Sequence, residues 1–513
     1  MPDICLGFEV HQPFRIDGSF RDELARGKRL GKLLDVYFDN RLNRDVLKRV
    51  AAKCYLPANE IVLREIDELK DMGREFRVVY SLSGVLVEQL ERWAPDALAT
   101  FRQLAETGRV EFLAQTYYHS LSSLYSSERS EFIEQVRLHV ALMRDVFGLE
   151  PRVFENTEFI YNDEIARVVQ GMGFAGMFTE GRPRILGWRS PNHVYRAGGC
   201  GIAVLLRNHV LSDDIAFRFS ARDWLEWPLT ADKYASWLSA TAGECVVVFI
   251  DYETFGEHHW PETGILEFLR WLPIEVAKQG NLSFKTASEL IASHQPVGEV
   301  SVAPLDTVSW ADADGTTNAW LGNDMQRTSY HALRRMEPWV RRTGNQEILR
   351  LWRLLQTSDH LYYMYTQPGA SGLVHGYFSS QPPARAFRAF MRILSSLQKR
   401  TAQHLAEPYA TSARLLRAVP PDVAFHFHED GRYIDLSAHS LEEFHDALAL
   451  ASDRSILFHS KSKDFERWVG GTIGDVKLAR LIRRIAGTSA SELRTNLRGC
   501  VEGRLNELKL GSC

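Results

Sequence analysis

The sequence predicts an α/β fold in which a parallel β/α barrel is followed by a helical domain and a small C-terminal α+β module. Three observations predict it. Short apolar runs alternate with helical patterns up to about residue 290, the pattern is mostly helical from about residue 303, and Pro420-Pro421 precedes a last mixed segment. Repeated strand, helix and strand units with right-handed crossovers close most economically into a parallel barrel. We therefore predict domains at residues 1–300, 301–420 and 421–513.

The barrel prediction rests on seven or eight short apolar runs. The run at residues 246–250, VVVFI, is β-branched or aromatic without a polar interruption, which is typical of a strand buried on both faces of a parallel sheet. This number of strands suits a barrel related to the (β/α)8 type. The predicted strands are residues 4–11, 77–81, 110–113, 152–155, 175–178, 202–207, 246–250 and, as a further candidate, 282–284.

Helical periodicity is clear in two long segments. Residues 131–147 and 347–364 each place apolar side chains on one face, so we predict one helix in each segment. In the last domain, residues 423–428 are predicted to form a short strand. Ser440 followed by Glu443 predicts the start of a helix, because this spacing forms a capping box.

Composition excludes some classes of protein and favours others. The formal net charge is -4 and is spread along the chain, which argues against nucleic acid as the main partner. The N-terminal residues show no signal peptide, and the apolar runs are far shorter than the roughly 20 residues of a membrane helix. Six cysteines are scattered without a CxxC pair, as expected of reduced thiols in a cytoplasmic protein. We predict a soluble, cytoplasmic protein with no membrane partner.

Polar residues follow several predicted strands at their carboxyl ends. In α/β folds this is the edge where ligands bind and catalytic groups collect. No single residue is specific, but the recurrence at successive strands indicates an active site. These residues are Glu9, His11 and Gln12 after the first strand, Gln115 to His119 after the third, Asn156 to Glu158 after the fourth, and Asp251, Glu253, Glu257, His258 and His259 after the seventh.

Two carboxylates facing one cleft are the minimum for cleaving a glycosidic bond, one as acid and base and the other as nucleophile. Glu158 and Asp251 are the pair that we predict. Nearby aromatic residues could stack on sugar rings, although ordinary core packing is the alternative for many of them. They are Tyr117, Tyr118, Tyr161, Tyr252, Phe255 and Trp260.

A competing hypothesis uses the same residues as metal ligands. Carboxylates and imidazoles could hold zinc or manganese in a metal-dependent amidohydrolase or sugar deacetylase. Adjacent His258 and His259 point in different directions on a regular backbone, which argues against both binding one ion. The candidate ligands are Glu9, His11, His119, Asp251, His258 and His259.

Five ordered motifs cover about residues 1–400, and two shorter stretches accompany them. Together they resemble glycoside hydrolase family 57, in particular its α-amylase members. The motifs are EVHQP (9–13), GRVEFLAQTYYH (108–119), FENTEFIYN (154–162), FIDYETFGEH (249–258), and SWAD (309–312) with AWLGN (319–323); the accompanying stretches are LLRNHVLSDD (205–214) and TSDH (357–360).

The resemblance implies a (β/α)7 barrel with a helical domain, and retaining cleavage of α-glucosidic bonds without a metal or other cofactor. It implies Glu158 as the nucleophile and Asp251 as the general acid and base. One departure is Glu155, where members often carry arginine; a second acid so near Glu158 could raise the pKa of Glu158 or alter the cleft. The implied substrate-binding residues are His11, Glu111, Glu253, His258 and Trp310.

These residues predict an α-amylase that cleaves α-1,4 links in starch- or glycogen-type glucans, with a glucan or maltooligosaccharide as substrate. A 4-α-glucanotransferase would use the same chemistry with a sugar hydroxyl as acceptor. A non-catalytic glucan-binding protein and a metal-dependent carbohydrate deacetylase are the other hypotheses. The sequence assigns no function to residues 421–513.

Overall fold

The computed structural model describes residues 2–125, 128–311, 314–367, 381–487 and 489–510. One mostly parallel sheet organises the first three hundred residues, and a separate hairpin lies near the C-terminus. The strands are β1 (Asp3–Val10), β2 (Val78–Leu82), β3 (Val110–Phe112), β4 (Val153–Phe154), β5 (Gly176–Glu180), β6 (Val194–Ala197), β7 (Ala203–Arg207), β8 (Cys245–Asp251), β9 (Ser283–Phe284), β10 (Glu299–Val300), β11 (Phe425–Glu429) and β12 (Arg432–Ala438).

Seven parallel strands form a closed ring of pairings. β1 pairs with β2 on one side and with β8 on the other, and β2 pairs with β3. β8 pairs with β7, β7 with β5, and β5 with β4. A parallel bridge between Ala114, just after β3, and Phe154 in β4 completes the ring. The predicted (β/α)7 barrel is therefore confirmed.

The remaining strands lie outside this ring. β9, the eighth predicted strand, pairs only with the first two residues of β1, so it extends the amino-terminal edge and is not an eighth barrel strand. β6 runs antiparallel to β7 and pairs with β10. Neither β6 nor β10 was predicted. They are four and two residues long, and in β6 the polar Arg196 is exposed, so neither shows the apolar run of a buried strand.

Helices surround the barrel, and a π-helical turn, Ala51–Tyr55, joins the helices Asn40–Val50 and Leu56–Asp71. The predicted helix at 131–147 is confirmed as Ser130–Phe147, and it ends at Gly148, whose φ of 68° suits glycine. The barrel helices are Asp22–Ala25, Leu34–Tyr37, Asn40–Val50, Leu56–Asp71, Gly84–Trp93, Pro95–Glu106, Ser130–Phe147, Asp163–Gly171, Pro183–Leu186, His209–Ala216, Ala231–Ala240, Ile265–Lys278 and Ala287–Ser293.

The region after the barrel is helical, as predicted, but the single helix predicted at 347–364 is wrong. The chain forms two helices, Gln346–Leu354 and Asp359–Tyr362, because Thr357 pairs with Ser120 in a bridge between them. This break turns the chain toward the mouth of the barrel. The helices of this region are Asn318–Leu321, Asp324–Arg334, Glu337–Arg342, Gln346–Leu354, Asp359–Tyr362, Pro383–Gln403 and Tyr409–Leu415.

The C-terminal segment is an α+β module built on the antiparallel pair β11 and β12. The predicted strand at 423–428 is confirmed as β11. Ser440 caps the next helix, since its Oγ accepts a hydrogen bond from the backbone N–H of Glu443 at 3.2 Å. The helices are Leu441–Leu450, Asp453–Ser462, Asp464–Trp468, Val476–Ile482 and Ala490–Leu510.

Hydrophobic packing links the barrel to the helical region but leaves the last segment with its own core. One cluster contains Phe154 from the barrel together with Trp352 and Phe390 from the helical region. Another cluster includes Phe444 and Trp468, and its buried members all lie between residues 415 and 508. The division into domains at residues 300 and 420 stays a prediction.

The barrel interior explains where the polar residues stand. Along β8, Cys245, Val247 and Phe249 belong to the small interior cluster, and Asp251 continues the same face at the carboxyl end. Gly7 makes room for the ring of Phe249, because a Cβ at residue 7 would lie 2.3 Å from it. The interior is thus apolar in its middle and polar at its carboxyl end.

Among the described residues, no helix is both long and apolar enough to cross a membrane. The described cysteines, Cys5, Cys54, Cys200, Cys245 and Cys500, are free thiols.

Candidate active site

The two predicted carboxylates lie at the carboxyl ends of barrel strands. Asp251 is the last residue of β8, and Glu158 lies in the 3-10 turn Thr157–Phe159 that follows β4. Burial, followed by the charge of Glu158, raises the pKa of Asp251 to about 7, against the opposing charges of Arg207 and His119. The charge of Glu158 thus acts on the carboxyl group of Asp251 at the carboxyl-terminal end of the barrel, which we call the site cavity.

Glu158 is held in a strained and defined geometry. Its φ is 59° and that of Phe159 is 57°, so two successive non-glycine residues occupy the left-handed region. Three donors fix the carboxylate: Trp310 Nε1 at 2.7 Å from Oε2, His119 Nε2 at 3.2 Å from Oε1, and Ser358 Oγ at 3.4 Å from Oε1. The side chain remains 21% exposed, so a substrate can reach it.

Trp310 is fixed in turn from three directions. Its ring stacks on Phe159 with centroids 4.7 Å apart, and its backbone N–H donates to the carbonyl of Glu158 at 3.2 Å. The guanidinium of Arg207 lies 5.5 Å from the ring centroid. Trp310 is thus in direct contact with the predicted nucleophile. Asp312, from the same sequence motif, lies outside the described residues.

His119 joins both sides of the cavity. Its Nε2 donates to Glu158, while its Nδ1 lies 3.1 Å from Gln115 Oε1 and 3.4 Å from Glu9 Oε1. Burial alone would lower the pKa of His119, but the hydrogen bond to Glu158 and the charge of Glu9 raise it to about 9. His119 is therefore an imidazolium at neutral pH.

His11 lies against His119, with ring centroids 4.0 Å apart. Its Nε2 donates to Asp359 Oδ2 at 3.0 Å, and its Nδ1 accepts from Ser83 Oγ at 2.7 Å. Burial and the neighbouring charge of His119 lower the pKa of His11 to about 4, so the ring is neutral. Burial would raise the pKa of Asp359, but the two histidines hold it well below its usual range.

Glu253 lies two residues after Asp251, in the 3-10 turn Tyr252–Thr254. Burial and the charge of Asp251 raise the pKa of Glu253 to about 8. Its Oε1 accepts from Tyr55 OH at 2.5 Å and from Gln12 Nε2 at 3.5 Å. Tyr55 ends the π-helical turn; such turns often occur at functional sites.

The two adjacent histidines, His258 and His259, have different surroundings. His259 is structural, since Nδ1 bonds Ser220 Oγ at 2.8 Å and Nε2 donates to the carbonyl of Ile215 at 3.0 Å. His258 is half-buried in the loop after β8, and burial lowers its pKa to about 4. Within the described ranges, no group of three or more histidine, cysteine, aspartate or glutamate side chains has the arrangement of a metal site.

The structure does not bring Glu111 to this cavity. Glu111 lies in β3 beside Val79 near the start of β2, and its carboxylate accepts from the backbone and hydroxyl of Ser288 at 2.9 and 2.5 Å. That position is toward the amino-terminal edge of the barrel, because the strands run in parallel. The chain reaches the cavity only after β3, at Gln115 and His119.

The aromatic residues predicted to stack on sugars differ in how deeply they are buried. Tyr161, Tyr252 and Phe255 are at most 1% exposed and belong to the core, and Tyr118 is nearly buried. Tyr117 is half-buried and donates to Glu88 at 2.7 Å. Trp260 is 59% exposed.

Comparison with known proteins decides the family. Residues 5–303 match the model of the family described as glycosyl hydrolase family 57. The chain belongs to this family. A protein from Methanocaldococcus jannaschii that carries the name "Putative alpha-amylase" is 44% identical over 413 residues, which are 79% of this chain and 86% of the relative.

Solved structures share the family 57 fold. A 4-alpha-glucanotransferase from Thermococcus litoralis has a TM-score of 0.56 at 17% identity, over 84% of this chain and 62% of that enzyme. A GH57-type branching enzyme from Pyrococcus horikoshii has a TM-score of 0.55 at 17% identity, over 80% of this chain and 93% of that enzyme. At these identities the likeness shows the fold alone.

Sequence reasoning did not assign several side chains that contact the predicted catalytic pair or its partners. The sequence places His119 among the polar residues after the third strand and among the candidate metal ligands, without a role beside Glu158, and it places Ser358 and Asp359 in a continuous helix. Burial, followed by the charge of Glu158, also raises the pKa of Tyr362, which lies in the same short helix as Asp359. The short motif at 357–360 was the available signal, but the interruption of the helix was not visible in the apolar stripe.

Proposed function

We propose that this protein is a retaining glycoside hydrolase of the α-amylase type, which cleaves α-1,4-glucosidic bonds in starch- or glycogen-type glucans. The observation that carries the proposal is the pairing of two unlike carboxyl groups. Glu158 is fixed by three hydrogen-bond donors, whereas the pKa of Asp251, about 7, lets it hold a proton at neutral pH. Membership of family 57 and the name of the 44% identical relative support the same substrate class.

In the proposed reaction, Asp251 donates its proton to the leaving glycosidic oxygen while Glu158 attacks the anomeric carbon. The products of this step are a shortened glucan and a covalent glycosyl ester on Glu158. Asp251, now ionised, takes a proton from a water molecule, whose oxygen attacks the same carbon and releases Glu158. The charge of Glu158 disappears in the first step and returns in the second.

His11, Glu253, His258 and Trp310 are proposed to position the substrate or the catalytic groups. Trp310 contacts the nucleophile directly, and Glu253 interacts with Asp251. Burial lowers the pKa of His258 to about 4, and a neutral imidazole can donate one hydrogen bond and accept another from sugar hydroxyls. Both ring nitrogens of His11 are engaged by Ser83 and Asp359, so His11 is proposed to position its neighbours. Glu111 is left out of this set because Ser288 engages it elsewhere.

Incubation with a pure linear maltooligosaccharide, with and without a chelator, tests the proposal by product size. We expect shorter products alone, at the same rate in both conditions. Longer products as well would identify a 4-α-glucanotransferase. Absence of products would favour a non-catalytic glucan-binding protein, and loss of activity with the chelator would favour a metal-dependent enzyme.

We also propose a cytoplasmic location and no nucleic-acid partner. The free thiols of the described cysteines and the dispersed net charge of -4 support these two proposals. Fractionation of the source cells, with activity in the cytosolic fraction, is the corresponding test.

A further inference from the structure

Two buried carboxyl groups, Glu9 and Glu155, belong to the hydrogen-bond network around His119 and are not used in the proposed reaction. Glu9 is 3% exposed and Glu155 is 1% exposed. Glu9 lies in β1, and Glu155 directly follows β4, with β2 and β3 between the two strands. Gln115 bonds Glu9 and Ser81, and Ser81 bonds Glu155, so the two carboxyl groups share one hydrogen-bond network. Burial, followed at Glu9 by the charge of Glu155, raises the pKa of both groups above the ordinary value of a carboxyl group.

The hydrogen bonds around this pair have only one consistent direction. Gln115 Nε2 donates to Glu9 Oε1 at 3.0 Å and to Ser81 Oγ at 2.8 Å. Since Ser81 accepts from Gln115, its hydroxyl donates to Glu155 Oε2 at 3.0 Å. Among the described residues, no donor lies within hydrogen-bond distance of the remaining oxygens, Glu9 Oε2 and Glu155 Oε1, and both are buried. Two such acceptors can bond each other only through a shared proton.

The same hydrogen-bond directions define the protonation state of His119. The amide oxygen of Gln115 is an acceptor, so His119 Nδ1 must carry a hydrogen to bond it at 3.1 Å. At the other end of the ring, His119 Nε2 faces the carboxylate of Glu158 at 3.2 Å and must also carry a hydrogen. Both ring nitrogens are donors, which is the imidazolium form.

We propose that Glu9 and Glu155 share one proton, and that the resulting buried monoanion is the counter-ion that holds His119 as the imidazolium partner of Glu158. Glu9 and Glu155 are positioning residues, because they act through His119 and do not touch the substrate. This inference rests on the proposed role of Glu158.

The arrangement balances charge on both sides of His119. With one shared proton, the pair carries one negative charge against the positive charge of His119. When Glu158 becomes a neutral ester, the buried monoanion still balances the imidazolium, so His119 can keep its two protons until Glu158 is released. The titratable or charged groups that face His119 are Glu9, Glu158, Asp251, Asp359 and the neutral ring of His11.

Three variants separate the members of the pair. In Glu155→Gln, the new amide can donate to Glu9 Oε2 while its oxygen accepts from Ser81, so the negative charge stays on Glu9. In Glu9→Gln, the charge moves to Glu155, farther along the network from His119. In the double variant, Glu9→Gln with Glu155→Gln, the monoanion is absent.

The test is an NMR titration of the full-length protein with labelled histidine, in which the signal lost in His119→Gln identifies His119. We expect the pKa of His119 to be unchanged in Glu155→Gln, lower in Glu9→Gln and lowest in the double variant. The double variant should also lose at least about tenfold in kcat at pH 7 with little change in KM, because a transition-state contact is weakened. Glu65→Gln, at another fully buried glutamate outside the site, is the matched control and should change neither quantity.

An unchanged His119 titration in the double variant would overturn the proposal, as would a large fall in the pKa of His119 in Glu155→Gln. Thermal unfolding of each variant identifies a folding defect. If the double variant does not fold, Glu9→Gln remains decisive, because an unchanged pKa of His119 in that variant would also overturn the proposal. The titration needs no substrate, so a protein that cleaves no glucan but follows the expected order would refute the proposed function and leave this inference standing.

Discussion

The indole nitrogen of Trp310 donates a 2.7 Å hydrogen bond to Oε2 of Glu158, although 152 residues separate them in the chain. The backbone N–H of Trp310 also donates to the carbonyl of Glu158. The segment after the barrel thus fixes both the side chain and the strained backbone of the residue that we propose as nucleophile. This contact ties the position of Glu158 to the fold of the helical region.

Trp310→Phe is expected to lower kcat by about 10- to 100-fold, because a hydrogen bond to a charged group contributes roughly 1.5–3 kcal/mol. The phenyl ring can still stack on Phe159, so the fold should be retained. Steady-state cleavage of a maltooligosaccharide measures the effect. Trp188→Phe, at a side chain that is 96% exposed, is the control; equal kcat in both variants would show that the indole bond is unimportant.

Activity should fall as the pH rises through about 7, because Asp251 must be protonated to act as the acid. The charge of Asp359 raises the pKa of Asp251, so Asp359→Asn should move this fall to lower pH. A shift of half a unit changes the protonated fraction about threefold on the alkaline side. The pH profile of kcat/KM is the measurement.

Glu257→Gln is the control for this shift. Glu257 lies on the loop after β8 but pairs with Arg49 at 2.5 Å, at the surface. Its profile should match that of the unaltered protein. If kcat/KM of Asp359→Asn fell at the same pH as kcat/KM of the unaltered protein, Asp251 would not be the titrating acid.

Asp251→Asn should stabilise the fold at alkaline pH while removing the acid. Asp251 has a raised pKa in the folded state, about 7 against 3.8 ordinarily, so the folded state binds more protons than the unfolded state between these values. Stability therefore falls as the pH rises from about 4 to 7, and the loss persists above 7. The asparagine avoids this loss, which is at most roughly 4 kcal/mol for two pKa values this far apart.

Thermal unfolding at pH 5 and pH 8.5 compares the two proteins. The variant should gain more in Tm at pH 8.5 than at pH 5. An equal difference in Tm at the two pH values would show that the carboxyl group of Asp251 does not titrate between pH 5 and pH 8.5.

Deleting the chain after Pro421 should leave a folded, active barrel and helical region, since Leu415 and Val419 are the only described buried residues of the last core that precede the cut. Activity and thermal unfolding of the shortened protein test this. Phe444→Ala in the full chain is the companion variant: it should destabilise the last segment by roughly 3–5 kcal/mol and leave glucan cleavage unchanged. Aggregation of the shortened protein would show that the last segment completes the core of the rest.

Local patterns were sufficient to predict most of the barrel. The apolar run of β8 and the periodicity of Ser130–Phe147 are properties of single segments, so the sequence displays them directly. The closure of the ring depends on the bridge between Ala114 and Phe154, which no local pattern shows. The number of barrel strands therefore came from the family resemblance.

The site was predictable where a residue follows a strand, as for Glu158 and Asp251. It was less predictable where distant segments meet. Asp359 bonds His11 across 348 positions, and the helix break that allows this contact follows from pairing with Ser120, which periodicity does not report. For Glu111 the sequence instead predicts a contact that the structure does not show. Its place within a motif does not indicate that it lies toward the amino-terminal edge of the barrel.

The most direct test of the central claim is azide rescue of Glu158→Ala and Asp251→Ala with an activated α-glucoside, read as the anomer of the glycosyl azide formed. We expect Glu158→Ala to give the β-azide, because azide enters the space left by the nucleophile and attacks the substrate once, with inversion. Asp251→Ala should give the α-azide, because azide then attacks the covalent intermediate on Glu158. An α-azide from Glu158→Ala, or undiminished glucan cleavage by that variant, would contradict Glu158 as the nucleophile of a retaining glycosidase.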